Sequence, residues 1–117
     1  SRFSRTRALV VATPKVEATL IGILEDLGIR PEPHGAIGVD RALRAGGQSF
    51  AFLESAALGP NPAAVVERLE RRGLLAGVSL VVIGEEPQGT FEFLRASQLC
   101  RPALLKIMER STASASD

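Results

Sequence analysis

Arg7-Ala8-Leu9-Val10-Val11-Ala12-Thr13-Pro14 decides how the rest of the chain is read. Ala8 to Val11 is a short unbroken apolar run near the start, and a helical pattern follows it at once. Pro14 suits the first turn of that helix with Thr13 as its N-cap. Val16, Leu20, Ile23, Leu24 and Leu27 then recur at helical spacing, and Gly28 is the expected stop. A strand apolar on both faces belongs at the centre of a parallel sheet covered on both sides. In open α/β sheets the chemistry lies just past the carboxyl ends of the strands. Ala12 and Thr13 therefore fall at the functional edge, yet neither offers a metal a carboxylate or can act as a base.

Working outward, Ile29 to Gly35 holds Pro31 and Pro33 and reads as an edge strand or extended segment. Gly38 to Ala45 reads as a short helix with Val39, Ala42 and Leu43 inward, closed by Gly46 and Gly47. Ser49 to Leu53 is another buried strand, ending in Glu54-Ser55. Asn61 caps the next helix and Pro62 begins it. Val65, Val66 and Leu69 form its inward stripe, Glu67 to Arg72 lie mostly outward, and Gly73 ends it. Val78 to Ile83 is a further buried strand, followed by Gly84-Glu85-Glu86-Pro87. Thr90 to Ala96 is predicted as a brief helix and Ser97 to Cys100 as the last strand. Arg101-Pro102 opens a final helix through Leu104, Leu105, Ile107 and Met108. Five strands alternating with five helices imply a parallel sheet with helices on both faces. Residues 1–6 read as a lead-in, 7–110 as the domain and 111–117 as a linker or disordered tail. Both ends suggest a module cut from a longer protein.

The 117 residues suffice for one domain with a real core. A net charge of +1 gives no reason to expect nucleic acid or an anionic membrane. A single cysteine, Cys100, excludes an internal disulfide framework and fits a reducing cytoplasm. The one histidine, His34, is expected on a loop edge, and a His-based metal site is excluded by count. No apolar run approaches the roughly 20 residues that span a bilayer. Neither a dinucleotide fingerprint after the first strand nor a Gly-Lys-Ser/Thr phosphate loop occurs. Gly-x-Ser-x-Gly is missing too, and no catalytic triad is legible.

The order and spacing of these elements resemble a response-regulator receiver domain, of the kind attached to hybrid sensor histidine kinases. The resemblance rests on Arg-Ala-Leu-Val-Val as first strand, Leu24 to Ile29 as the end of the first helix and its turn, Phe50 to Glu54 as the third strand, and Leu99-Cys100-Arg101-Pro102 as the leucine-any-lysine-proline element. It implies a (βα)5 flavodoxin-like sheet of order 2-1-3-4-5. It also implies a pocket whose usual occupants are missing. Ala12 and Thr13 stand where two acids help hold Mg²⁺. Glu54, or Ser55 if the register slips by one, stands where an aspartate takes the phosphoryl group. Gly84 replaces a hydroxyl residue, Arg101 the lysine, and Gln98 the aromatic residue of the last strand. The segment from Gly84 to Arg101 is short, so the fourth helix is expected to be trimmed.

Phosphoryl transfer to a carboxylate is mostly positioning and charge neutralisation. Mg²⁺ wants one or two carboxylates in octahedral array, and a misplacement of about 1 Å costs on the order of 100-fold in rate. The resemblance therefore implies a pseudo-receiver: no enzyme, no Mg²⁺, no cofactor, cytoplasmic. It would act by contacts with a histidine kinase core, another receiver or a second copy of itself. The contact face expected is Phe91, Phe93, Leu94, Gln98, Leu104 and Met108. The alternatives are a switch binding a small ligand such as a cyclic dinucleotide, with Arg95, Arg101 and Arg110 as its arginines, or a residual phosphoacceptor at Glu54 or Ser55. Glu54 and Arg101 are expected at one sheet edge, either as a fixed ion pair or as solvated rim residues. Glu85 and Glu86 are expected in a solvated loop rather than on a divalent ion, and Cys100 as a small buried hydrophobe.

Overall fold

The computed structural model describes residues 5–87 and 89–116. The chain runs β1 (Arg7–Val11), α1 (Pro14–Asp26), β2 (Arg30–Pro33), α2 (Val39–Ala45), β3 (Phe50–Glu54), α3 (Pro62–Arg71), β4 (Ser79–Gly84), β5 (Glu92–Arg95) and α4 (Arg101–Ser116). All strand pairings are parallel, in the order β2-β1-β3-β4-β5. The order and the flavodoxin-like architecture are those expected from the sequence.

Strict alternation along the strands divides the core in two. Ala8, Val10, Phe50, Phe52, Val81, Ile83 and Leu94 face α1 and α4, where Leu20, Leu24, Leu104, Ile107 and Met108 meet them. Leu9, Val11, Ala51, Leu53, Leu80 and Val82 face α2 and α3, where Val39, Leu43, Val66 and Leu69 meet them. Phe50 and Phe52 stack with ring centroids 6.0 Å apart on the first of these faces.

The expected caps form at α3, where Asn61 Oδ1 accepts from the Ala64 N–H at 3.2 Å and Pro62 begins the helix. Beyond α1, Gly28 adopts φ 82°, a conformation that ends the helix at no steric cost. Edge strand β2 keeps its donors inside. The N–H groups of Arg30 and His34 bond to Thr6 and Val10. The alternate residues, Pro31 and Pro33, turn outward and have no N–H to offer another strand.

Two expectations fail between β4 and α4. The stretch from Thr90 to Ala96 is not a helix, and Ser97 to Cys100 is not a strand. Glu92–Arg95 forms β5, and Ala96–Gln98 is a single 3₁₀ turn. Phe91, Glu92 and Phe93 alternate with period two, and aromatic residues favour the pleated surface, whereas so short a stretch carries no helical repeat. Among the described residues there is thus no α-helix between β4 and β5, and the chain has four α-helices rather than five. The final helix also continues to Ser116, past the point where its apolar pattern fades. Cys100 is exposed rather than buried, because it precedes α4 instead of lying in the sheet.

Candidate functional site

The parallel register brings the ends of four strands together. Val11 lies beside Leu53, Glu54 beside Ile83, and Gly84 beside Arg95. Ala12, Thr13, Glu54, Gly84 and Arg95 therefore share one carboxyl edge. Of the two residues that the sequence leaves open, Glu54 is the last residue of β3 and Ser55 begins the turn after it.

Glu54 is only 6% exposed. A carboxylate so placed needs donors, and Thr13 supplies both. Its backbone N–H and its hydroxyl each donate to Glu54 Oε1 at 2.7 Å. Thr13 is the N-cap residue of α1, yet its side chain does not cap the helix; it is turned to the carboxylate instead. Ala12 packs against the α1/α4 core. Among the described residues, no group of three or more His, Cys, Asp or Glu side chains could hold a metal ion.

Gly84 has a steric reason. A Cβ added there would lie 2.8 Å from Ser55 Oγ and 3.0 Å from Ser55 Cβ. The Ser55 hydroxyl thus occupies the space beside β4 that a larger residue at 84 would enter. It is buried and finds no hydrogen-bond partner. Beside it lies an open hollow of about 380 Å³ whose lining includes Glu54, Ser55, Pro60, Gly84, Glu85 and Glu86.

Arg101 is not at this edge. It begins α4 and pairs with Asp26 at the end of α1 across 2.6 Å, with both side chains well exposed. The expected Glu54–Arg101 pair does not form. The arginine at the sheet edge is Arg95, whose Nη1 donates to the Glu85 carbonyl at 2.8 Å. The residue three before Arg95 is Glu92, in β5, whereas Gln98 lies in the 3₁₀ turn after that strand. Glu92 is held by Arg110 of α4, with a 2.9 Å bond from Arg110 Nε. Pro102 lies in the first turn of α4, where its missing N–H is no loss. The signal that could have placed Arg95 is the alternation from Phe91 to Leu94, which marks the strand ahead of it.

The expected contact face also divides. Leu94, Leu104 and Met108 are core residues and cannot dock a partner. Gln98 is exposed, and Phe91 and Phe93 are half-buried against the α2/α3 core.

No family model matches the chain, and no curated protein matches it. Solved structures do. A CheY-like receiver domain from Methylobacillus flagellatus superposes with TM-score 0.75 at 19% identity, covering 92% of this chain and 98% of that one. The receiver domain of a sensor histidine kinase from Pseudomonas aeruginosa PAO1, with magnesium coordinated in its active-site cleft, gives 0.77 at 14%, covering 90% and 95%. The chemotaxis protein CheY4 of Vibrio cholerae gives 0.74 at 12%, covering 90% and 97%. The chain has the fold of response-regulator receiver domains.

Proposed function

We propose that this chain is a receiver-like regulatory module of a two-component signalling protein, such as a hybrid sensor histidine kinase, that works by protein contacts and without phosphorylation. The observation that carries the reading is the Thr13–Glu54 pair. The carboxylate at the phosphoacceptor position has one oxygen taken by two donors from the segment where the metal-binding acids would be. The residues present do not fit Mg²⁺. Ala12 and Thr13 bring no carboxylate, and a hard divalent ion needs a nearly complete oxygen shell. Ser55 is a poor substitute acceptor, since its hydroxyl is buried against Gly84. Partners on this reading are a kinase core, another receiver or a second copy, met through the half-buried Phe91 and Phe93.

Incubation with beryllofluoride and Mg²⁺, followed by backbone amide NMR, tests it. The expected outcome is no saturable shift at Thr13, Glu54, Gly84 or Arg95. Saturable shifts there would mean that a phosphoryl-type ligand is still bound, and the reading would fall.

A further inference from the structure

Parallel neighbours are ordinarily joined by a crossover of about a dozen residues or more that carries a helix. Here residues 85–91 alone join β4 to β5, with no α-helix among those described. The α2/α3 face of the sheet therefore lacks a cover of its own beyond α3, and α3 decides what borders the opening.

Ala63, Val66, Glu67 and Glu70 recur at helical spacing on α3. With Gly89 and Phe91 they line a hollow of about 230 Å³. Val66 is buried and makes its floor with the half-buried ring of Phe91, while Ala63 is exposed and too small to close it. Glu67 and Glu70 are exposed and stand one turn apart at the rim. Neither is ion-paired among the described residues. The nearby cations of their own helix, Arg68 and Arg72, are held on another flank by Asp40 of α2. The charges of α3 are thus sorted, cations toward α2 and acids over the opening. The hollow is smaller than the usual small-molecule site of about 300–1,000 Å³. It suits anchoring side chains rather than a whole ligand.

We infer that this groove docks an amphipathic helix of a partner protein. The apolar side chains of that helix enter between α3 and Phe91, and its lysines or arginines meet Glu67 and Glu70. The inference deepens the contact part of the reading above and rests on that part alone. A second copy of the chain is the wrong occupant. The apolar residues of α1 and α4 are spent on one core and those of α2 and α3 on the other. The fully exposed Ile37 stands alone in a 3₁₀ turn.

The test is NMR titration of the chain with an amphipathic helical peptide that has leucine on one face and lysine on the other. Its counterpart with glutamate in place of lysine is the comparison. The expected result is saturable amide shifts at Ala63, Val66, Glu67, Glu70 and Phe91 with the lysine peptide, and binding of the glutamate peptide weaker by roughly ten-fold. Glu67→Gln combined with Glu70→Gln, both exposed and outside the core, should weaken the lysine peptide by a similar factor. Phe91→Ser should weaken it as well; if that variant does not fold, the glutamate pair decides. Equal binding of the two peptides, no saturable shift, or unchanged affinity in the double variant would each overturn the inference. So would shifts centred on α1 or confined to the outer edge of β5. Self-association of the chain that the double variant abolishes would give the groove to a second copy and overturn it too. A silent groove beside a silent beryllofluoride response would sink this inference and leave the unphosphorylated reading standing; beryllofluoride shifts beside a binding groove would do the reverse.

Discussion

The two faces of this sheet are covered differently. On one, α1 and α4 close over the strands. Leu20, Leu24, Leu104 and Met108 are fully buried there, and Phe50 and Phe52 stack beneath them. On the other, α2 and α3 cover β1, β3 and part of β4. With no α-helix between β4 and β5 among the described residues, Phe91 and Phe93 lie half-exposed at the far side. Their ion pairs differ too. Across the α2/α3 face, Asp40 is shielded and held by both Arg68 and Arg72, at 2.8 and 3.0 Å. Arg101–Asp26 on the first face is an exposed single pair. One face is a finished core, and the other is a core with one wall thin. The unfinished side lies next to β5, the strand that the sequence hides best.

The contrast predicts a ranking. Leu104→Ala, on the finished face, should destabilise by about 2–5 kcal/mol in urea unfolding, since the site is fully buried and leaves a cavity. At the edge where both faces end, Gly84→Thr should cost roughly 1–3 kcal/mol by overpacking against Ser55. Adding Ser55→Gly should recover most of that loss; a double variant no better than the single one would show that Ser55 is not the obstacle. Phe93→Ser, on the thin face, should cost only about 1 kcal/mol, because a half-buried ring gives up part of a full transfer. Equal losses at Leu104 and Phe93 would erase the distinction between the faces.

Asp40 sharpens it by pH. Burial alone would raise its carboxyl, but the bonds and charges of Arg68 and Arg72 outweigh burial and hold it below its usual value. A folded pKa below the unfolded one contributes stability above the unfolded value, about 4, and that stability is lost as pH falls through the folded value. Asp40→Asn should therefore cost about 0.2–1 kcal/mol near pH 7, within the range of partly exposed pairs. It should also flatten the loss of stability below pH 4. Glu32 adds to the same acid loss, since Arg7 and Gln48 overcome its burial and hold its carboxyl low. The smallest effect is expected from Arg101→Ala, near zero in thermal unfolding, because both partners are largely in water. A loss above 1 kcal/mol would give that residue a role that the exposed geometry does not support.

Most of the fold is legible in the sequence. Unbroken apolar runs marked β1, β3 and β4, because a strand covered on both faces must be apolar at every position. Helical spacing and end signals marked α1 and α3: Pro14 and Gly28 for one, Asn61, Pro62 and Gly73 for the other. The place of Ala12, Thr13 and Gly84 at the sheet's carboxyl edge is legible as well, since they come at the ends of strands that are already clear. The last strand was not. Glu92–Arg95 has a polar residue at each end, and the Arg101-Pro102 pair imitated the motif expected after it.

Two kinds of element are written in the sequence: strands covered on both faces, which are apolar at successive positions, and helices whose apolar spacing and end signals are local. The fold in three dimensions sets which arginine reaches the sheet edge, turns the Thr13 hydroxyl from its own helix to Glu54, and places Ser55 against Gly84. Each of these is a contact between residues far apart in the chain or on different strands. Local propensity is blind to such partners, and the register of the parallel sheet is what sets them side by side.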